Sequence, residues 1–140
     1  KYVAVSGGVI GYSSDGVNWT AKQVTGMWLY GVAYGNGKYI AVGGNESISY
    51  ICYSTDDVNW TTKQVSCRYL YGATYGNGKY IVMGDGGYIA YSTDGINWTS
   101  KIVGLITWAG GAYGNGKYVV IGNNGYIAYS TDDINWIMKG

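Results

Sequence analysis

Short apolar runs broken by Gly, Asn, Asp and Ser fill this chain from end to end. Leu70–Tyr75 reads as a strand, and Gly76-Asn77-Gly78 turns it, because Asn-Gly supplies the two positive-φ positions of a type I′ hairpin. Lys79–Met83 follows as a second strand, ended by Gly84–Gly87. Tyr88–Tyr91 makes a third, Ser92–Gly95 turns again, and Asn97–Val103 makes a fourth. Named A, B, C and D, these strands predict an up-and-down antiparallel meander. No stretch carries a 3.6-residue apolar period long enough for a helix, so the chain is predicted to be all-β.

Strands B and C are apolar on both faces, as in Tyr39-Ile40-Ala41-Val42 and Tyr118-Val119-Val120-Ile121, so both faces need cover. Strand A is built from small residues: Gly31-Val32-Ala33, Gly72-Ala73-Thr74 and Gly110-Gly111-Ala112. Small side chains suit a place where several strands crowd together. Four-stranded sheets, covered on both faces and crowded at their first strand, describe the blades of a β-propeller.

The meander recurs. Ser13-Ser14-Asp15-Gly16-Val17-Asn18-Trp19 returns around Asp56, Asp94 and Asp132, and Tyr-Gly-Asn-Gly-Lys-Tyr occurs at Tyr34–Tyr39, Tyr75–Tyr80 and Tyr113–Tyr118. A period near 40 residues marks units too small to bury their own faces alone. The units fall at approximately 1–24, 25–65, 66–103 and 104–140, within one repeat domain. The chain opens on a B strand and closes on a D strand, so fifteen strands are expected. The first blade lacks its inner strand, to be completed by upstream sequence or by another chain.

The Ser-x-Asp-Gly/Asp-x-x-Trp phrase resembles the Asp-box, or BNR repeat, of sialidase-type propellers. Its spacing is one residue shorter than the usual Ser-x-Asp-x-Gly-x-x-Trp. The resemblance implies a turn between strands C and D with a structural role for Asp15, Trp19, Asp56, Trp60, Asp94, Trp98, Asp132 and Trp136. An Asp in a tight turn accepts from the backbone N–H groups that follow, and the Trp ring can cover the turn. The repeats also look like those of bacterial and phage surface proteins. That implies a secreted or phage-tail-like host and an extracellular or virion-associated location, which the N-terminus itself, beginning at Lys1 without a signal-peptide layout, does not reveal.

Charge and composition narrow the function. Only 12% of residues are charged and the net charge is +1, so no basic stripe is available to neutralise nucleic acid. No run of about 18 apolar residues occurs, so membrane insertion is not expected. A sialidase needs an arginine triad, and Arg68 is the single arginine. Glycosidases need two carboxylates facing across a sugar, but six of the eight acids sit in the repeated turns, leaving Glu46 and Asp85. With no His, triads are also missing. The chain is read as non-enzymatic and without a cofactor. The pairs Asp56-Asp57 and Asp132-Asp133 could hold calcium only weakly, and the turn role is preferred. Cys52 and Cys67 read as two buried or semi-buried thiols, with a bridge between them as the alternative.

In a meander the A–B and C–D turns share one end of the sheet, and the B–C and D–A connections share the other. The near-identical turns all fall at the first end; the sequences at the second vary. The varied end carries Trp28, Asn45, Glu46, Arg68, Tyr69, Asp85, Trp108 and Asn123, the predicted ligand-binding set. Aromatic faces beside amides and carboxylates suit a glycan, and they suit a protein interface as well. The expected function is non-catalytic recognition, with carbohydrate as the ligand. The alternative is a structural or assembly module. The unpaired inner edge of the first blade adds an expectation of self-association, as a homodimer.

Overall fold

The computed structural model describes residues 1–140 and contains fifteen strands in four antiparallel sheets. Blade 1 comprises β1 (Tyr2–Ser6), β2 (Val9–Ser13) and β3 (Thr20–Gln23). Blade 2 comprises β4 (Leu29–Gly35), β5 (Lys38–Gly44), β6 (Ser49–Ser54) and β7 (Thr61–Val65). Blade 3 holds β8 (Leu70–Gly76), β9 (Lys79–Gly84), β10 (Tyr88–Ser92) and β11 (Thr99–Ile102). Blade 4 holds β12 (Trp108–Gly114), β13 (Lys117–Gly122), β14 (Ile127–Ser130) and β15 (Ile137–Lys139). Each sheet is ordered as the chain runs, and blade 1 has three strands, without an inner one.

Local chemistry sets the hairpins. Asn36-Gly37, Asn77-Gly78 and Asn115-Gly116 all have positive φ, between 46° and 76°, the two-residue geometry whose twist matches the flanking strands. Two B–C connections tighten into single 3₁₀ turns at Asp85–Gly87 and Asn123–Gly125. The outermost strand of blade 3 begins at Thr99 rather than Asn97. Asn97 belongs instead to the preceding turn, where its backbone and side-chain nitrogens both donate to Asp94.

The core lies between blades. Ile10 of blade 1, with Val3 and Val5, meets Leu29, Ala41 and Cys52 of blade 2. Ile40, Val42 and Ile51 then meet Tyr80, Val82 and Ala90 of blade 3. Ile81, Met83 and Ile89 meet Tyr118, Val120 and Ala128 of blade 4. The central strands of blades 2 and 3 are therefore covered on both sides, which is why their sequences show no alternation. Burying each such Ile, Val or Met stabilises the fold by about 1.5–3 kcal/mol.

Inner strands β4, β8 and β12 lie side by side. A Cβ on Gly31 would sit 2.8 Å from the Tyr71 carbonyl oxygen, and one on Gly72 would sit 3.1 Å from the Gly110 Cα. The small residues of strand A are thus required by backbone-to-backbone approach around the axis.

Candidate functional site

The repeated turns form one end of the blades, and their bonding is nearly the same four times over. Asp94 Oδ1 accepts from the N–H of Ile96 and Asn97 at 2.8 Å each, while Oδ2 accepts from Asn97 Nδ2 at 2.8 Å. Ser92 Oγ donates to Asp94 and accepts from Gly95 N–H. Asp15, Asp56 and Asp132 are bonded alike. These donors hold all four carboxyls well below the usual carboxylate range, above all the N–H of the asparagine three residues on. Trp19, Trp60 and Trp136 donate Nε1–H to the carbonyl three residues back, closing the turn.

The residue after this Asp is left-handed in every blade. Gly16 and Gly95 fill it in blades 1 and 3; Asp57 (φ 65°) and Asp133 (φ 62°) fill it in blades 2 and 4. Both aspartates are buried, and each faces a lysine from the blade before: Lys1 Nζ lies 2.9 Å from Asp57, and Lys79 pairs with Asp133. An ammonium group therefore faces the second aspartate of each pair, and Asp56 and Asp132 are engaged by their own turns.

At the varied end, three tyrosines gather. Tyr69 and Tyr71 stack with ring centroids 5.6 Å apart and an interplanar angle of 16°. Tyr30 from the neighbouring blade meets Tyr71 at 5.4 Å and Tyr69 at 6.3 Å. The bulges explain the cluster. Pairing of β4 with β5 shifts register between Leu29 and Gly31, and that of β8 with β9 between Leu70 and Gly72. Tyr30 and Tyr71 are the unpaired residues at these shifts, and such bulges re-aim a side chain. In blade 4 the same position is Ala109.

Beside the rings, Arg68 Nη1 lies 3.9 Å from Asp85 Oδ2, and Arg68 Nε donates to the Glu46 carbonyl at 3.3 Å. Thr107 Oγ1 donates to Asp85 Oδ1 at 2.7 Å, tying blade 3 to blade 4. Burial, then the Asp85 charge, raises the Tyr71 phenol above its ordinary pKa. The same causes push the Cys67 thiol up to about 11, so Cys67 is a protonated thiol at neutral pH; both cysteines are free and buried.

The predicted residues divide. Tyr69, Arg68, Asp85 and the Glu46 backbone come together. Trp28 is 61% exposed at the corner where its carbonyl accepts from Gly44 N–H, beside the turn carrying Asn45 and Glu46. Asn45 spends Oδ1 on the N–H groups of Ser47 and Ile48. Asn123 is exposed in blade 4, its N–H bonded to the Thr107 carbonyl.

Trp108 departs from expectation. It is fully buried, with Nε1 donating to the Val103 carbonyl at 2.9 Å, and so belongs to the core. Register gives the reason: Trp108 pairs Gly122 as Leu29 pairs Gly43 and Leu70 pairs Gly84. Thr107, not Trp108, matches Trp28 and Tyr69. Counting five residues back from Tyr34, Tyr75 and Tyr113 would have shown it. Tyr30 and Tyr71, overlooked as strand residues, carried a signal only in the blade comparison, where Ala109 replaces them.

Comparison with protein-family models finds no match, and comparison with curated proteins finds none. Solved structures share the fold. A chain of a crystallised nidogen/laminin complex superposes with a TM-score of 0.71 at 13% identity, over 97% of this chain and 59% of that one. YCF48 bound to a D1 peptide gives 0.57 at 15% identity, over 96% and 63%. The chain spans less than two thirds of either neighbour. Together with the four sheets, these likenesses establish a β-propeller architecture.

Proposed function

We propose that this chain is a non-catalytic recognition module that binds a protein or peptide through its tyrosine-rich end. The observation that carries this reading is the Tyr30–Tyr69–Tyr71 cluster, set by two bulges next to Arg68 and Asp85. Tyr and Arg are the residues that most often anchor protein interfaces, because each combines a large rigid face with a hydrogen-bonding tip. The two solved neighbours add support, since both were captured in complexes, one with laminin and one with a peptide. A carbohydrate ligand is the second reading, favoured by the open Trp28 ring beside the Asn45–Glu46 turn, where a sugar C–H face could stack.

Probing a peptide array and a glycan array with the chain separates them. Peptide binding that Tyr71→Ala weakens about 10–100-fold, with the fold retained, supports the first reading. Glycan binding lost in Trp28→Ala supports the second. Blank arrays with an intact fold would refute recognition at this end and favour a structural or assembly role.

A further inference from the structure

The three blade junctions within residues 1–140 share one plan, and the two outermost faces repeat its two halves. At each junction the apolar face of one blade covers the next, and polar links cross with it. Tyr118 Oη donates to the Gly76 carbonyl at 2.5 Å, and Tyr80 likewise reaches Gly35. Lysines preceding or opening the second strand reach forward to the next blade's turn: Lys1 to Asp57, Lys38 to the Asp94 carbonyl, Lys79 to Asp133. Lysines of the outer strand do the same, Lys22 to the Val58 carbonyl at 2.8 Å, Lys63 to Ile96 at 3.0 Å and Lys101 to Ile134 at 2.7 Å.

Blade 4 carries the donor half of this plan. By register, Ile121 stands where Val42 and Met83 stand, and Ile127 where Ile51 and Ile89 stand. Those four are buried, whereas Ile121 is 54% and Ile127 43% exposed. Lys117 and Lys139 occupy the places of Lys79 and Lys101. Blade 1 carries the acceptor half. Tyr2, Ala4 and Gly11 take the places of Tyr80, Val82 and Ala90, and Trp19, stacked on Gly11, takes that of Trp98. Tyr2 is 56% exposed and Trp19 47%.

The repeated turns indicate which blade fits against blade 4. Left-handed positions run Gly16, Asp57, Gly95, Asp133, so the lysines that precede or open the second strand meet a carboxylate in an even blade and a carbonyl in an odd one. Setting blade 1 after blade 4 continues that alternation. We propose that the exposed face of blade 4 packs on blade 1 of a second copy of this chain, head to tail. Lys117 then donates to the Asp15 carbonyl, Lys139 to the Val17 carbonyl, and the Tyr2 hydroxyl to the Gly114 carbonyl. Blade 1 has no inner strand, so this junction lacks the inner-strand contact of the others and is the weakest of the set. Being heterologous, it closes into a ring or extends, depending on the rotation between copies.

Light scattering at about 100 μM chain, where a micromolar contact is saturated, tests this. The native chain should exceed the 15.1 kDa mass of one copy. Ile121→Arg/Ile127→Arg on blade 4 and Ala4→Arg on blade 1 each change an exposed face, so each should stay at one copy. Mixed in equal amounts, they retain one good face each and should form a species of twice that mass. A native chain at one-copy mass, arginine variants that still assemble, or a mixture that stays monomeric would each overturn the proposal. If the arginine variants fail to fold, Lys117→Ala/Lys139→Ala takes their place: a fall in assembled fraction supports the contact, and none refutes it.

Discussion

Truncating Trp108 to alanine should cost this fold more than the same change at Trp28, although both tryptophans stand where the chain enters an inner strand. Trp108 is 0% exposed and belongs to the buried cluster between blades 3 and 4 that includes Met83, Ile89 and Val103. An indole removes about 200 Å² from water, worth about 5 kcal/mol at 25 cal/mol per Å². The lost bond to the Val103 carbonyl adds about 1 kcal/mol. Partial collapse of the cavity brings the expected loss to about 3–5 kcal/mol. At about 4 °C per kcal/mol for a domain of this size, the midpoint of thermal unfolding should fall by about 12–20 °C. Trp108→Leu restores the side chain found at the equivalent Leu29 and Leu70 and should lose about half as much. Trp28→Ala, at a 61% exposed position, should move the midpoint by about 2 °C or less. Circular dichroism melts of the three variants decide the matter. If Trp108→Ala melts within a few degrees of Trp28→Ala, the placement of Trp108 between the blades is wrong.

Two further outcomes concern the turns. Lys79→Met leaves the Asp133 carboxylate buried without its partner and should destabilise by about 3–5 kcal/mol in urea unfolding; adding Asp133→Gly, the residue used at Gly16 and Gly95, should recover most of the loss, and failure to recover it would deny the pair. Carboxyls of Asp15, Asp56, Asp94 and Asp132 have folded pKa values below their unfolded ones, so their contribution is complete above about pH 4 and lost as pH falls through the folded values. Stability measured against pH should therefore decline on the acid side below about pH 4, and Asp94→Asn should shallow that decline.

Much of this architecture could be read from the chain because its causes are local. Asn36-Gly37 and its two copies turn the hairpins by their own backbone preferences, and the Ser-x-Asp turns close on bonds spanning two or three residues. Doubly apolar strands such as Tyr39–Val42 required cover on both faces, and the small residues of the inner strands required a crowded axis. Repetition then multiplied one meander into four blades. The candidate site was legible only in part. Arg68, Tyr69 and Asp85 showed themselves as residues in which one repeat differs from the others, and all three meet at one end.

Register decided what local chemistry could not. A shift of one position separates Thr107 at the surface from Trp108 in the core, and pairing with Gly122 sets that shift. Bulges at Tyr30 and Tyr71 turn two strand tyrosines towards Tyr69, a consequence of counting residues across strands. The lysine partners of Asp57 and Asp133 are far from them along the chain, Lys79 by 54 residues in the second pair. Each of these contacts joins residues that meet only when one blade packs on the next. Turn preferences determine each meander by itself; the choice of which side chains face solvent, core or partner belongs to the stacking of blades about their axis.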